Sequence, residues 1–224
     1  MLASPKQVRR DWETGEEGSL IGRGILDEME NEAQHIPFFT KLFTLSQILG
    51  ALIYRGFRSE KKKKLKILHM LIQLGAFIFS IVGLVAVFDF HNNSSPKIPN
   101  MYSLHSWIGL CTVILFACQW VIGLLTFLFP GLRPSVRAAY LPVHQFFGLF
   151  IFVGAVSSCL LGFTEKAIFS VKNYSSLPPE GVLINVTGLV LIMFGGLVVY
   201  LVSHPKFRRQ TTEDEVLLTD TVLE

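Results

Sequence analysis

The amino-acid sequence predicts an all-α membrane protein, a helix bundle of about five transmembrane helices, on three observations. Half of its 224 residues are hydrophobic and only 17% are charged, against about a quarter in ordinary soluble domains. The charges crowd into residues 1–34, 55–66 and 204–224. Between them lie four apolar runs, Ile67–Phe88, Leu104–Phe129, Leu141–Phe163 and Gly181–Val202. Each supplies the roughly 20 residues that carry a helix across about 30 Å of hydrocarbon.

A run of this kind has no water to satisfy its peptide groups, so each must close its own hydrogen bonds as a helix. A fifth candidate span, Ile36–Tyr54, is weaker because it contains Thr40, Lys41, Thr44, Ser46 and Gln47. Residues 1–34 are charged, carry no apolar stretch and are expected to be disordered, with no signal peptide. Residues 35–203 form the membrane domain and 204–224 a tail. The net charge of +3 does not imply nucleic acid, because the cations flank helix ends. Cys111, Cys118 and Cys159 lie inside apolar runs without CxxC spacing and read as inert thiols.

Orientation follows from the cations. Arg55, Arg58, Lys61, Lys62, Lys63, Lys64 and Lys66 fill one loop, Arg133 and Arg137 another, and Lys206, Arg208 and Arg209 the tail. The positive-inside rule makes these segments cytosolic. The sequons at Asn92, Asn93 and Asn173 fall in the other two loops, which are then luminal or extracellular. The sequon at Asn185 lies inside a span and is expected to be inert. If Ile36–Tyr54 spans, residues 1–34 are luminal.

Six histidines are present: His35, His69, His91, His105, His144 and His204. Four sit at or just inside the starts of apolar segments, where an ionisable group is costly and points to function. Helix direction alternates, so His69 and His144 share a depth near the cytosol, and His35 and His105 share one near the lumen. Two imidazoles meeting across a bundle can supply both axial ligands of a haem iron, and small residues such as Gly75, Gly83, Gly109, Gly123, Gly148 and Gly154 would admit the flat macrocycle. Two such sites inside one bilayer lie within tunnelling reach. A single histidine at a helix start is more often an interfacial anchor or a cap. Zinc is the other candidate, but HExxH, a cysteine cluster and matching acidic residues are missing from the runs.

Several motifs together resemble the cytochrome b561 family, transmembrane haem oxidoreductases that use ascorbate. They are Tyr102-Ser-Leu-His105-Ser-Trp107, Lys66-Ile-Leu-His69, Leu141-Pro-Val-His144, Gly83-Leu-Val-Ala-Val-Phe88 and Pro178-Pro-Glu-Gly181. The resemblance covers about residues 47–205. Phe88-Asp-Phe-His91 and Phe127-Leu-Phe-Pro-Gly131 look closest to the chromaffin-granule branch, with the lysosomal branch a near second. It implies a four-helix haem core with two b-type haems, or one if His35 does not ligate. His69 and His144 match the cytosolic haem ligands and His105 a luminal one. His35 stands where the second luminal ligand is expected, although Gln34-His35-Ile36-Pro37 departs from the family's Asn-x-His-Pro motif. Lys62, Lys66 and Arg137 match the cytosolic ascorbate site, with Arg55 and Tyr140 assisting. Phe90, His91, Asn100 and Tyr102 match the luminal acceptor site. The family's first helix is missing or replaced here by the charged residues 1–34, outside the haem core.

The resemblance implies electron transfer from cytosolic ascorbate to a luminal acceptor, monodehydroascorbate or ferric iron. The other readings are a truncated isoform serving as a membrane scaffold or assembly partner, and a small histidine-dependent transporter. The partners expected are ascorbate, the acceptor and membrane lipid, with a homodimer allowed and nucleic acid not expected. Glu213-Asp-Glu-Val-Leu217-Leu218 fits an acidic dileucine pattern. It favours secretory vesicles or the late endosome and lysosome over the plasma membrane.

Overall fold

The computed structural model describes residues 42–129 and 132–208. His35, Lys41, the charged segment 1–34 and the dileucine pattern lie outside the described residues. Five long helices make up the described chain: α1 over 42–56, α2 Lys62–Asn93, α3 Leu104–Phe127, α4 Pro134–Ser170 and α5 Pro179–Ser203. Two short 3-10 turns, Tyr174–Ser176 and Pro205–Phe207, join and follow them. There is no strand among the described residues. Helices α2 to α5 are each long and apolar enough to cross a bilayer, so the chain is a multi-pass membrane protein.

The helices outrun the apolar runs that announced them. Helix α4 begins at Pro134 rather than Leu141 and continues to Ser170, about 55 Å at 1.5 Å per residue. Pro134 starts it because its φ is already helical and the first turn needs no N–H from it. Helix α2 likewise takes in Lys62, Lys63 and Lys64, all exposed. Basic residues at a helix N-terminus oppose the macrodipole, so these lysines answer to the bilayer side and not to helix stability. Helix α3 has a conventional start, with the Ser103 hydroxyl accepting from the Ser106 amide at 3.3 Å.

Four helices share one core. Phe43 of α1, Ala76 of α2, Phe116 of α3, and Ile151 and Ala155 of α4 pack together, with Phe77 and Leu115 against them. The Phe43 and Phe116 rings meet edge-on at 5.6 Å. The most extensive helix pairing is α3 with α4. Helix α5 lies outside, where Gly188 and Gly195 let it approach Leu160 and Val156 of α4. Large apolar side chains elsewhere face outward, as with Val85, Leu183 and Met193, the last 75% exposed. That pattern suits lipid and not water.

The α3–α4 seam is close because small residues permit it. A β-carbon at Gly154 would stand 2.7 Å from Thr112 Oγ1. The Thr112 hydroxyl is held by the Ile108 carbonyl at 2.7 Å and is poorly placed to retreat. Gly154→Ala is expected to cost about 1–3 kcal/mol through forced helix separation, measured as a lower melting temperature of the detergent-solubilised protein. Gly75→Ala, with open space around it, should melt as the parent does.

Candidate functional site

The fold brings His69 and His144 face to face. Their ring centroids are 6.3 Å apart and their planes cross at 71°. Two imidazoles sharing one metal through nitrogen bonds of about 2 Å would hold their centroids roughly 6 Å apart. The His69 Nδ1–H donates to the Gly50 carbonyl at 2.9 Å. A carbonyl can only accept, so the proton sits on Nδ1 and Nε2 keeps its lone pair, the arrangement of an oriented metal-ligating histidine.

Aromatic rings wall this pair. Tyr54 lies 5.7 Å from His69, while Phe127 and Tyr140 lie 5.2 and 6.2 Å from His144. Gly123 of α3 gives His144 its space, since a β-carbon there would stand 2.9 Å from Cε1 of the ring. His144 Nδ1 is buried without a partner among the described residues.

His105 sits near the other end of α3. Its Nδ1–H donates to the Ser158 carbonyl at 2.9 Å, with the Ser158 hydroxyl at 3.3 Å. Its Nε2 is therefore also left with a lone pair. Gly162 makes room for the ring, since a β-carbon there would lie 3.0 Å from Cε1. From His105 to Gly123, which abuts His144, α3 rises roughly 27 Å. Between the two levels the rings of Phe77 and Trp120 stack at 5.8 Å, and Phe116 meets Phe77 at 6.2 Å.

The residues expected to bind ascorbate divide. Lys66 Nζ donates to the Phe127 carbonyl at 3.4 Å and lies within electrostatic reach of Arg137 and Lys62. These cations gather beside His69, His144 and Tyr140. The Arg55 guanidinium donates to the carbonyls of Val202 and His204, so it ties α1 to the end of α5. At the other end, Phe90 and His91 are neighbours at 6.1 Å. The Asn100 amide donates to Asn92 Oδ1 at 2.8 Å, and Tyr102 is exposed. Sequence reasoning missed Gly50 and Ser158 as imidazole acceptors, because they act through main-chain carbonyls. It also missed Gly162, although this glycine stands 18 residues after His144 just as Gly123 does after His105.

A family model described as eukaryotic cytochrome b561 matches residues 35–170. The plasma membrane ascorbate-dependent reductase CYBRD1 of Xenopus laevis is 46% identical over 192 residues, covering 84% of this chain and 67% of the relative. The transmembrane ascorbate-dependent reductase CYB561 of Sus scrofa is 45% identical over 169 residues, covering 75% of this chain and 66% of the relative. The human protein of that name is 43% identical over the same length. The chain thus spans about two thirds of the length of these relatives.

The glycine beside each ring gives a test of the site itself. Gly123→Ala is expected to push the His144 ring aside at a cost of about 1–3 kcal/mol. A lower melting temperature of the detergent-solubilised protein reads it, with Gly75→Ala as the unaffected control.

Proposed function

This chain belongs to the eukaryotic cytochrome b561 family, and on that premise we propose that it is an ascorbate-dependent oxidoreductase moving electrons across a bilayer. One observation carries the reading: two imidazoles from different helices, His69 and His144, face each other with ring centroids 6.3 Å apart. His69 and His144 would hold one b-type haem and His105 a second, with His35 as its other ligand. When bound, haem supplies reversible one-electron chemistry that no amino-acid side chain here offers.

The protein's own residues do the rest. The carbonyls of Gly50 and Ser158 fix the tautomer and the ring plane of His69 and His105, and raise the basicity of each Nε2. Phe127, Tyr54 and the surrounding apolar side chains keep water from the His69–His144 pair. Lys66, Lys62 and Arg137 gather positive potential at that end, and the N-termini of α2 and α4 add to it. Ascorbate is a monoanion at neutral pH and would be drawn there and ordered by charge-assisted hydrogen bonds. Tyr140 borders the same place. The cations also make this end cytosolic.

The acceptor, monodehydroascorbate or ferric iron, would dock at the opposite end around Phe90, His91, Asn100 and Tyr102. The acidic dileucine pattern supports an endosomal, lysosomal or secretory-vesicle membrane. The name of the Xenopus relative assigns that protein to the plasma membrane.

The test is a reduced-minus-oxidised spectrum of the purified chain with ascorbate as reductant. A six-coordinate low-spin b-type signal is expected, and it should lose one component in His69→Ala or His144→Ala. A chain without haem, or one whose signal survives both substitutions, removes this reading in favour of a scaffold or transporter. Lys66→Gln and Arg137→Gln should each raise KM for ascorbate about tenfold with little change in kcat, the loss of one hydrogen bond to a charged group. Initial rates at varied ascorbate and ionic strength measure it, and added salt should lower the parent's kcat/KM.

Glycosylation tests the orientation. Asn92 and Asn93 fall in the last turn of α2 and not in a loop, while Asn173 precedes the turn at Tyr174. All three are exposed, and a mobility shift with peptide N-glycosidase that disappears on their joint replacement by Gln is expected. Asn185, inside α5, should contribute nothing to it.

A further inference from the structure

Helices α3 and α4 carry a four-residue element at the same spacing, in opposite directions and with one residue changed. On α3 it is His105, Gly109, Gln119 and Gly123; on α4 it is His144, Gly148, Ser158 and Gly162. Each residue of the second set stands 39 positions after its counterpart. The helices are antiparallel, so the two copies interlock. Gly162 makes room for His105 and Gly123 makes room for His144, with virtual β-carbons 3.0 and 2.9 Å from the respective Cε1 atoms. Gly109 faces Ser158 at 3.1 Å and Gly148 faces Gln119 at 3.7 Å. Every contact pairs one glycine with one polar side chain, so the pairing has the pattern of a local twofold axis between the two antiparallel helices.

The axis makes Gln119 the counterpart of Ser158. Ser158 anchors the His105 ring directly, through its carbonyl and its hydroxyl. Gln119, only 9% exposed, donates its amide N–H to the main-chain carbonyl of His144 at 2.5 Å. That carbonyl sits two residues after Pro142, inside α4. A proline there offers no N–H to the carbonyl one turn earlier and loosens the helix locally. The His144 ring has no hydrogen bond of its own at Nδ1 among the described residues. Its ring is placed by packing against Phe127 and Tyr140 and by its main chain, and Gln119 is the side chain that grips that main chain.

We propose that Gln119 is a positioning residue for His144, performing at one end of the α3–α4 pair the task that Ser158 performs for His105 at the other. This rests on the reading of the histidines as haem ligands. It adds that the two sites are copies of one element whose anchoring residue differs. His105 is held by its ring and His144 by its backbone, so the two imidazoles donate unequally to whatever they ligate.

The experiment is a potentiometric titration of the full chain in detergent, read optically and by low-temperature electron paramagnetic resonance. The component lost in His144→Ala marks its site. Gln119→Leu is expected to shift the midpoint and the low-spin line shape of that component alone, and Ser158→Ala those of the other component alone. A mere packing role would move both components together or neither, and either result overturns the proposal. If Gln119→Leu does not accumulate, Gln119→Glu keeps the shape and, when protonated, the donor. It should return the parental component, and its failure to do so also overturns the proposal. A parental chain lacking any haem signal would remove the ligand reading itself, and the proposal with it.

Discussion

Within hydrocarbon a helix gains nothing by hiding apolar side chains from its surroundings, because lipid is as apolar as leucine. Association must come from close approach and from hydrogen bonds. The α3–α4 seam supplies both: glycines at 109, 123, 148, 154 and 162 bring the backbones near, and polar side chains occupy the space that the glycines leave. The position of His105 and His144 follows from this seam. Each ring lies where the facing helix lacks a side chain, so imidazole placement and helix packing are the same contact seen from two sides.

The remaining helices complete what the seam begins. Helix α2 brings His69 opposite His144, and α1 provides the Gly50 carbonyl that fixes the His69 tautomer. Helix α5 leans on α4 and is fastened to α1 through Arg55. Its N-terminal turn is set by Tyr174, which packs against Gly181 and donates to Asn185 at 2.6 Å. The Pro178-Pro-Glu-Gly181 motif therefore has a structural task, starting α5 and seating that tyrosine, separate from any electron path.

Much of this was legible in the sequence. The apolar runs marked all four long spans, since hydrocarbon leaves the backbone one choice. Alternating direction put His69 and His144 at one depth, and the rings do meet. The limits of the helices were not legible: Pro134–Tyr140 and Lys62–Lys66 look like polar loops, yet they continue the helix outside the apolar zone. Nor were the imidazole acceptors, since the carbonyls of Gly50 and Ser158 carry no side-chain signature. Gln119 gave only a weak sign, one amide in an apolar run. Its meaning appears when the spacing of α3 is laid over that of α4.

The overhang of α4 has a bearing on where such a chain can live. At about 55 Å it exceeds the hydrocarbon by a wide margin, and the surplus is already helical at both ends. A thinner bilayer can recede along it without uncovering an unpaired peptide group. Mismatch of that sign is absorbed by turns that exist in advance, whereas Arg137, Glu165 and Lys166 hold the two overhangs out of a thicker one.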